Sequence, residues 1–470
     1  MGGGIAPNSD TKTVVVLGAA YGGARAAQIV AAGLPDDWRI IVIDRNSHAN
    51  HVYVMPRYAV LPGHEYKAFI PYTNVFLTAP NLKPNHIHVQ AEVVSLRPHH
   101  VVLSKAFPEL GIPSPTIAFD YAIYALGAHL PAPLDLWGVD PRQTIQKENS
   151  KPEDLWKYKG NKAEGVAWFL ERQGVVRDAP TVLVVGGGAL GIQFATDIKA
   201  VYPEKKVTLL HSREQLLPKF DQGLHDEVRK TTESQGIELI LGERLDMSSV
   251  DESINAGKTV NEQGQRIVKT VKGREIAADL LLLCVGQKPN SGLLASMDPA
   301  TINPENNLAR VQRTMQLSTV PVLQCMPTDE ALASAAESNL NVSEESSAKS
   351  EKAVVDKSAS GYPHIFAIGD AADAFGAIAA GHNAYSQGEL AARNVLRLIK
   401  QRNRAGAEVE ELEKYTPGPP AIKVSLGLTH SVYQLGSHLG TKDDGKPDLD
   451  AALIWPYYGI KVEKDEDMKA

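Results

Sequence analysis

Cysteine is nearly missing from this chain. Of 470 residues only Cys284 and Cys325 are cysteine, too few for a disulfide framework or a cysteine-based zinc site, and that usage suits a reducing compartment. Long apolar runs are missing too. Leu280–Val285 is among the longest, far short of the roughly 20 residues that span a bilayer. An excess of basic residues is also lacking: 48 Lys and Arg stand against 55 Asp and Glu, a net charge of −7, which argues against a general nucleic-acid binder. The opening MGGGIAPNSDTK has no basic stretch followed by an apolar core, so no secretory signal is read there. It approaches the N-myristoylation pattern, but Ala6 stands where Ser or Thr is required, and no lipid anchor is expected. The expected location is the cytoplasm, with membrane contact at most peripheral.

What is present is ordinary globular composition: 43% hydrophobic, 22% charged, 38 Gly and 29 Pro. This excludes disordered, collagen-like and coiled-coil chains and allows roughly two to four domains. Thr13–Leu17 (TVVVL) is the pattern of a strand buried on both faces. It runs into Gly18-Ala-Ala-Tyr-Gly-Gly23, a helical stretch over Ala24–Ala32, and a second buried strand, Arg39–Ile43, that ends at Asp44. Strand, glycine-rich turn, helix, strand and acid make one mononucleotide-binding unit. The pattern returns about 168 residues later, with Thr181–Val185, the turn Gly186–Gly191, a helix to about Val201 and the strand Lys206–Leu210. His86–Val102 alternates like a hairpin, and Tyr121–Leu126, Leu280–Gly286 and Phe366–Asp370 read as further strands ending in glycine or Gly-Asp. A helix is expected from about Ala384 to Lys400, followed by a strand-rich tail. Residues 328–360 are rich in Ser, Ala, Glu and Lys and read as a disordered insertion, the alternative being a surface helix over Asp329–Leu340.

The first turn departs from G-x-G-x-x-G, because Ala20 replaces the middle glycine that lets backbone approach a pyrophosphate. Asp44 can accept from both ribose hydroxyls. The second turn is complete in Gly186, Gly188 and Gly191, but its strand ends in His211-Ser212-Arg213 with no acid. An acid there repels a 2′-phosphate and an Arg accommodates one, so this unit should take a nicotinamide dinucleotide and tolerate or prefer NADPH. Two such units imply two dinucleotides, read as a flavin and a nicotinamide. Phe366–Asp370 supports the flavin: Asp370 can reach ribityl hydroxyls, and a helix N-terminus from Ala371 onward is expected to face phosphate.

On these residues the chain resembles the two-dinucleotide-domain flavoproteins, and within them the apoptosis-inducing-factor-like branch with the ferroptosis-suppressor-type NAD(P)H:quinone oxidoreductases. Gly18–Gly23, Arg57, Gly186–Gly191, Asp197–Ser212 (DIKAVYPEKKVTLLHS), Cys284-Val-Gly286 and Ala367–Asp370 carry the resemblance, from about residue 12 to 435. It implies an α/β fold with two Rossmann-like domains: an FAD domain in two parts (11–145 and 291–400, interrupted by 328–360), an NAD(P)H domain inserted at 146–290, and a small α+β region at 401–470. It implies FAD held by Gly18, Ala19, Ala20, Tyr21, Gly22, Gly23, Asp44, Arg57, Val93, Gly127 and Asp370. NADPH or NADH would be held by Gly186, Gly188, Ala189, Leu190, Gly191, His211, Arg213 and Gly286, with electrons passing through the flavin to a quinone.

Three departures from the family bear on that activity. Gln193 stands where a Glu is common in the family, a position expected near the nicotinamide or isoalloxazine ring, and is the catalytic candidate. Ala125-Leu126-Gly127 lacks the usual hydroxyl, and Gly369–Ala392 contains no lysine. Two further functions are therefore carried beside the quinone reductase: a tailoring oxidoreductase acting on a small metabolite, and a slow-turnover NAD(P)H-sensing scaffold. A disulfide reductase is excluded, since no Cys-x4-Cys pair follows the first unit. His86 and His88 lie on one strand face without a third ligand in pattern and read as hairpin surface residues. Ser431–Tyr433 and Trp455–Tyr458 read as core aromatics of the tail rather than a docking patch.

Overall fold

The computed structural model describes residues 11–77, 82–138, 158–250, 260–321, 361–403, 410–443 and 445–469. The expected insertion at 328–360 lies outside them.

The β-branched run Val14–Val16 and the run Ile40–Ile43 are wholly excluded from solvent, as strands covered on both faces must be. They belong to β1 (Lys12–Leu17) and β2 (Trp38–Asp44), joined by α1 (Gly22–Gly33) and followed by the single helical turn α2 (Met55–Tyr58). Strand β3 (His86–Gln90) adds in parallel to β2, and β4 (Tyr121–Tyr124) in parallel to β1. The hairpin expected from His86 onward is thus corrected. Its first strand joins the main sheet, and the hairpin itself pairs Val93–Arg97 with His100–Leu103. Alternation in sequence suits an edge strand as well as a hairpin, and the choice of partner is not local.

The second unit follows helix α3 (Lys162–Asp178). It comprises β5 (Thr181–Val185), α4 (Ala189–Val201), β6 (Lys206–Leu210), α5 (Gln222–Ser234), β7 (Glu238–Ile240) and β8 (Leu280–Leu283). Its strands are all parallel, in the order β7-β6-β5-β8. The chain then returns to the first sheet as β9 (Gln316–Leu317) and β10 (Tyr362–Ala367), completing the order β9-β10-β4-β1-β2-β3 with β9 alone antiparallel. Helix α6 (Gly381–Asn403) packs along α1. The contact is backbone-close: a Cβ on Gly22 would lie 2.3 Å from the Ala384 carbonyl oxygen, and one on Gly388 would lie 2.3 Å from that of Gly22. The helix expected directly after Asp370 starts only at Gly381; Gly369–Ala371 is a 3₁₀ turn.

Last comes an antiparallel meander of β11 (Ala421–Ser425), β12 (His430–Leu435) and β13 (His438–Asp443), with β11 against α4. Two 3₁₀ segments follow, Ala451–Tyr458 and Asp465–Lys469. Beyond the end of α6 at Asn403, the helical segments described in the expected α+β region are 3₁₀. Trp455 and Tyr458 are buried, and they pack on the first unit's core rather than on a core of the tail's own.

Candidate functional site

One cleft of about 1480 Å³ runs between the two units. It is lined by both glycine-rich turns, by the loops that follow β4 and β8, by Gly369 and Asp370, by Ile378–Gly381, and by Ala421–Lys423 of β11. The loops after β4 and β8 pair with each other, His129 N–H donating to the Lys288 carbonyl at 2.8 Å and Asn290 N–H to that of Gly127 at 2.9 Å. Gly127 and Gly286 both take left-handed backbone, φ +62° and +82°, and both line the cleft.

The turns share one construction. Gly18 N–H donates to the Ile43 carbonyl at 2.7 Å, and Gly186 N–H to that of Leu210 at 2.8 Å. The following N–H is taken by the residue ending the second strand: Ala19 N–H by Asp44 Oδ2 at 2.8 Å, and Gly187 N–H by His211 Nδ1 at 3.1 Å. His211 therefore occupies the place of the missing acid. Its other ring nitrogen, Nε2, faces the Gln215 carbonyl at 3.2 Å, so Nε2 carries the proton and Nδ1 accepts. Burial lowers its pKa, keeping that neutral form. The last glycine of each motif sits where helix meets strand: a Cβ on Gly23 would lie 2.0 Å from Gly18 O, and one on Gly191 1.9 Å from Gly186 O. Gly191 and Ala19 do not line the cleft, whereas Gly18, Ala20, Tyr21, Gly22, Gly23, Gly186, Gly188, Ala189 and Leu190 do.

These surroundings fit a dinucleotide on each turn. A Cβ on Gly188 would meet nothing within 4 Å, so backbone there is open to an approaching phosphate, with a helix N-terminus behind it. In the first unit, Asp44 also accepts from Asn46 N–H at 2.8 Å and the Tyr72 hydroxyl at 3.3 Å. Burial raises its pKa, opposed by those donors. A carboxylate has about four acceptor sites, which leaves little more than one for a ribose hydroxyl. Asp370 lines the cleft and accepts from the Gln287 amide at 3.3 Å, across the junction of the units; burial raises its pKa. Val93 lines the cleft, as does Arg45, whose guanidinium lies 4.4 Å over the Trp137 ring.

The chain matches the model of one family over residues 12–323: pyridine nucleotide-disulphide oxidoreductase. It belongs to that family. It is 38% identical over 459 residues to "Fe-regulated protein 8" of Mycosarcoma maydis, covering 97% of both chains. It is 27% identical to "Ferroptosis suppressor protein 1" of Mus musculus, covering 94% of this chain and 93% of that one. Among solved structures, an engineered water-forming NADPH oxidase bound to NADPH aligns with a TM-score of 0.56 at 17% identity, over 90% of this chain and 74% of that one. An NAD-dependent persulfide reductase of A. fulgidus aligns with 0.56 at 15%, over 90% of this chain but 63% of that longer one. The protein is thus a flavin oxidoreductase with FAD and NAD(P)H as cofactors.

One residue expected on FAD in this family member is placed elsewhere. Arg57 is fully buried outside the cleft, and all three guanidinium nitrogens are engaged: Nε with Asp197 Oδ2 at 2.8 Å, Nη1 with the Pro447 carbonyl at 2.9 Å and Nη2 with that of Gly427 at 2.6 Å. It ties α2 to α4 and the tail. Burial pushes Asp197 up to about 6 against the pull of Arg57. Gln193 does line the cleft, its amide donating to Ser425 Oγ at 3.0 Å. Arg213 lies exposed at the mouth beside the second turn, as does Lys219. Lys219, Tyr72, Gln287 and Ser425 were not singled out from sequence; only Lys219, six residues beyond Arg213, stood near enough to a motif to be found. His86 and His88 serve packing, His86 Nε2 facing the Ala31 carbonyl at 3.2 Å and the His88 ring standing edge-on to Tyr72 at 5.2 Å.

Proposed function

We propose that the first turn holds FAD, the second holds NADPH or NADH, and electrons leave through the flavin to a quinone. When bound, FAD supplies the two-electron chemistry; the chain's own residues bind, orient and shield. The observation that carries this reading is one cleft lined both by the two turns and by the paired loops after β4 and β8. Ala20 and Gly22 offer backbone to one pyrophosphate, Gly188–Leu190 to the other. Asp44 and Asp370 bracket the ribose and ribityl ends of FAD. Gln193, held by Ser425, lines the cleft with an uncharged amide. Leu217, Phe220, Val285, Ile378 and Ile422 give the cleft apolar wall, suited to an apolar ring acceptor, and the sequence has no Cys-x4-Cys pair after the first turn.

The nicotinamide is read as NADPH by preference. In the second unit the lining residues include Arg213, Lys219 and Lys288 and no carboxylate, the balance a 2′-phosphate favours. The test is to follow NADPH absorbance with and without a short-chain quinone. Fast, quinone-dependent oxidation is expected. A persistent long-wavelength charge-transfer band with negligible turnover would instead support the sensing scaffold, to which uncharged Gln193 and the lysine-free 369–392 segment lend weight. A reduced, idle flavin would point to a small-metabolite substrate.

A further inference from the structure

The first turn contains one strained residue. Tyr21 has φ +43° and ψ −105°, a conformation that non-glycine residues keep only where their surroundings hold it. It is held at both ends. Its N–H donates to the Tyr458 hydroxyl at 2.9 Å, from a residue 437 positions away. Its own hydroxyl accepts from Val52 N–H at 3.1 Å and meets His51 Nδ1 at 3.3 Å, and its ring stands edge-on to Tyr385 at 5.9 Å.

Tyr458 lies behind the turn, not in the cleft, and is buried. By taking the Tyr21 N–H away from the cleft, it decides which amides of the turn remain for a ligand. Those of Gly18, Ala19, Tyr21 and Gly23 all have partners within the protein. Among the described residues, those of Ala20 and Gly22 have none, and both residues line the cleft. The Tyr458 ring also lies 6.2 Å from that of Tyr72, whose hydroxyl reaches Asp44. The segment that carries Tyr458 is firmly seated: Gln28 Nε2 donates to the Tyr457 carbonyl at 2.7 Å, Asn74 Nδ2 to that of Gly459 at 3.0 Å, and Lys67 pairs with Asp465 at 2.6 Å.

We infer that Tyr458 is a positioning residue for the FAD pyrophosphate: its hydroxyl holds the Tyr21 N–H and fixes the turn in the shape that presents the Ala20 and Gly22 N–H groups to phosphate. This rests on the reading of the first turn as the FAD site. The C-terminal segment is then part of the cofactor site, although no glycine-rich motif marks it.

Tyr458→Phe keeps the ring packing and removes only the hydroxyl. One hydrogen bond of this kind corresponds to about a three- to tenfold change in affinity. FAD retention by the full-length holoprotein on dilution, read by flavin fluorescence, should weaken by that factor. The melting temperature at saturating FAD should fall by no more than the weaker FAD binding itself entails, and the affinity for NADPH should stay as in the wild type. Equal FAD retention in both proteins would overturn the inference. So would a parallel loss of FAD, NADPH and melting temperature, which would make Tyr458 a packing residue only. A wild-type protein that holds no FAD would overturn the reading of the first turn, and that failure shows in the parent protein rather than in the variant.

Discussion

At the end of the second strand of each unit one side chain holds the glycine-rich turn, and the two chains chosen differ in charge. Asp44 accepts from Ala19 N–H, and neutral His211 from Gly187 N–H. His211→Glu should therefore keep the turn's anchor while adding a charge that repels a 2′-phosphate, shifting preference toward NADH. Arg213 makes the complementary case. A charge-assisted contact to the 2′-phosphate contributes about 1.5–3 kcal/mol, so Arg213→Ala should cost NADPH roughly ten- to a hundredfold in kcat/KM and leave NADH nearly unchanged. An unchanged NADPH-to-NADH ratio would show that Arg213, exposed at the mouth, points to solvent. On the flavin side, Asp370→Ala removes a carboxylate acceptor and should weaken FAD binding by about tenfold to more than a hundredfold, measured as flavin content after dialysis. A full yellow complement with unchanged affinity would remove Asp370 from the site.

At the scale of elements, what could be read from the sequence was what repeats locally. Within each unit, the two buried strands, the glycine-rich turn and the residue at the end of the second strand fall within about 30 residues, and their periods and breakers are explicit. The structure brings both turns to one cleft, through Gly18, Ala20–Gly23 and Gly186–Leu190. Contacts between distant segments left no such mark. Arg57 and Asp197 are 140 positions apart, and Tyr458 reaches Tyr21 from the far end of the chain; nothing in either local sequence names its partner. Arg57 also shows how a motif position can serve the frame rather than the ligand. Removing one partner of a buried ion pair typically costs about 3–5 kcal/mol, because the other charge is left uncompensated. Arg57→Met should destabilise the protein by about that amount in urea unfolding. The double variant with Asp197→Leu should regain much of the loss. Were Arg57 instead an FAD ligand, flavin affinity would fall while unfolding of the FAD-free protein stayed as in the wild type.

Across the whole molecule, burial of ionisable groups sets a pH dependence whose sign can be worked out. Burial lowers His48 to about 3 and His51 and His88 to about 4, and it lowers His64, His86, His211 and His364 as well. In the unfolded chain these histidines protonate near pH 6.5. The folded protein resists that proton, so each contributes stability that is complete above about 6.5 and is lost as pH falls toward the folded value. Asp44, Asp197 and Asp370 act in the opposite sense, since burial raises their pKa. For Asp197 the raised value is about 6. Its contribution is present at low pH and lost as pH rises through 6, so it offsets part of the histidine effect between 6 and 4. Seven groups oppose three, and the net expectation is a melting temperature that falls steadily from pH 7 to pH 5. The three most shifted histidines all lie in the first unit, with His51 against Tyr21 and His88 against Tyr72, so flavin should be released before the rest of the fold is lost. His88→Phe removes one titrating group while keeping a ring on Tyr72, and should flatten the slope. Thermal melts with flavin fluorescence at pH 7, 6 and 5 test this. A melting temperature that is level or rises toward pH 5 would mean that the carboxyl groups outweigh the histidines.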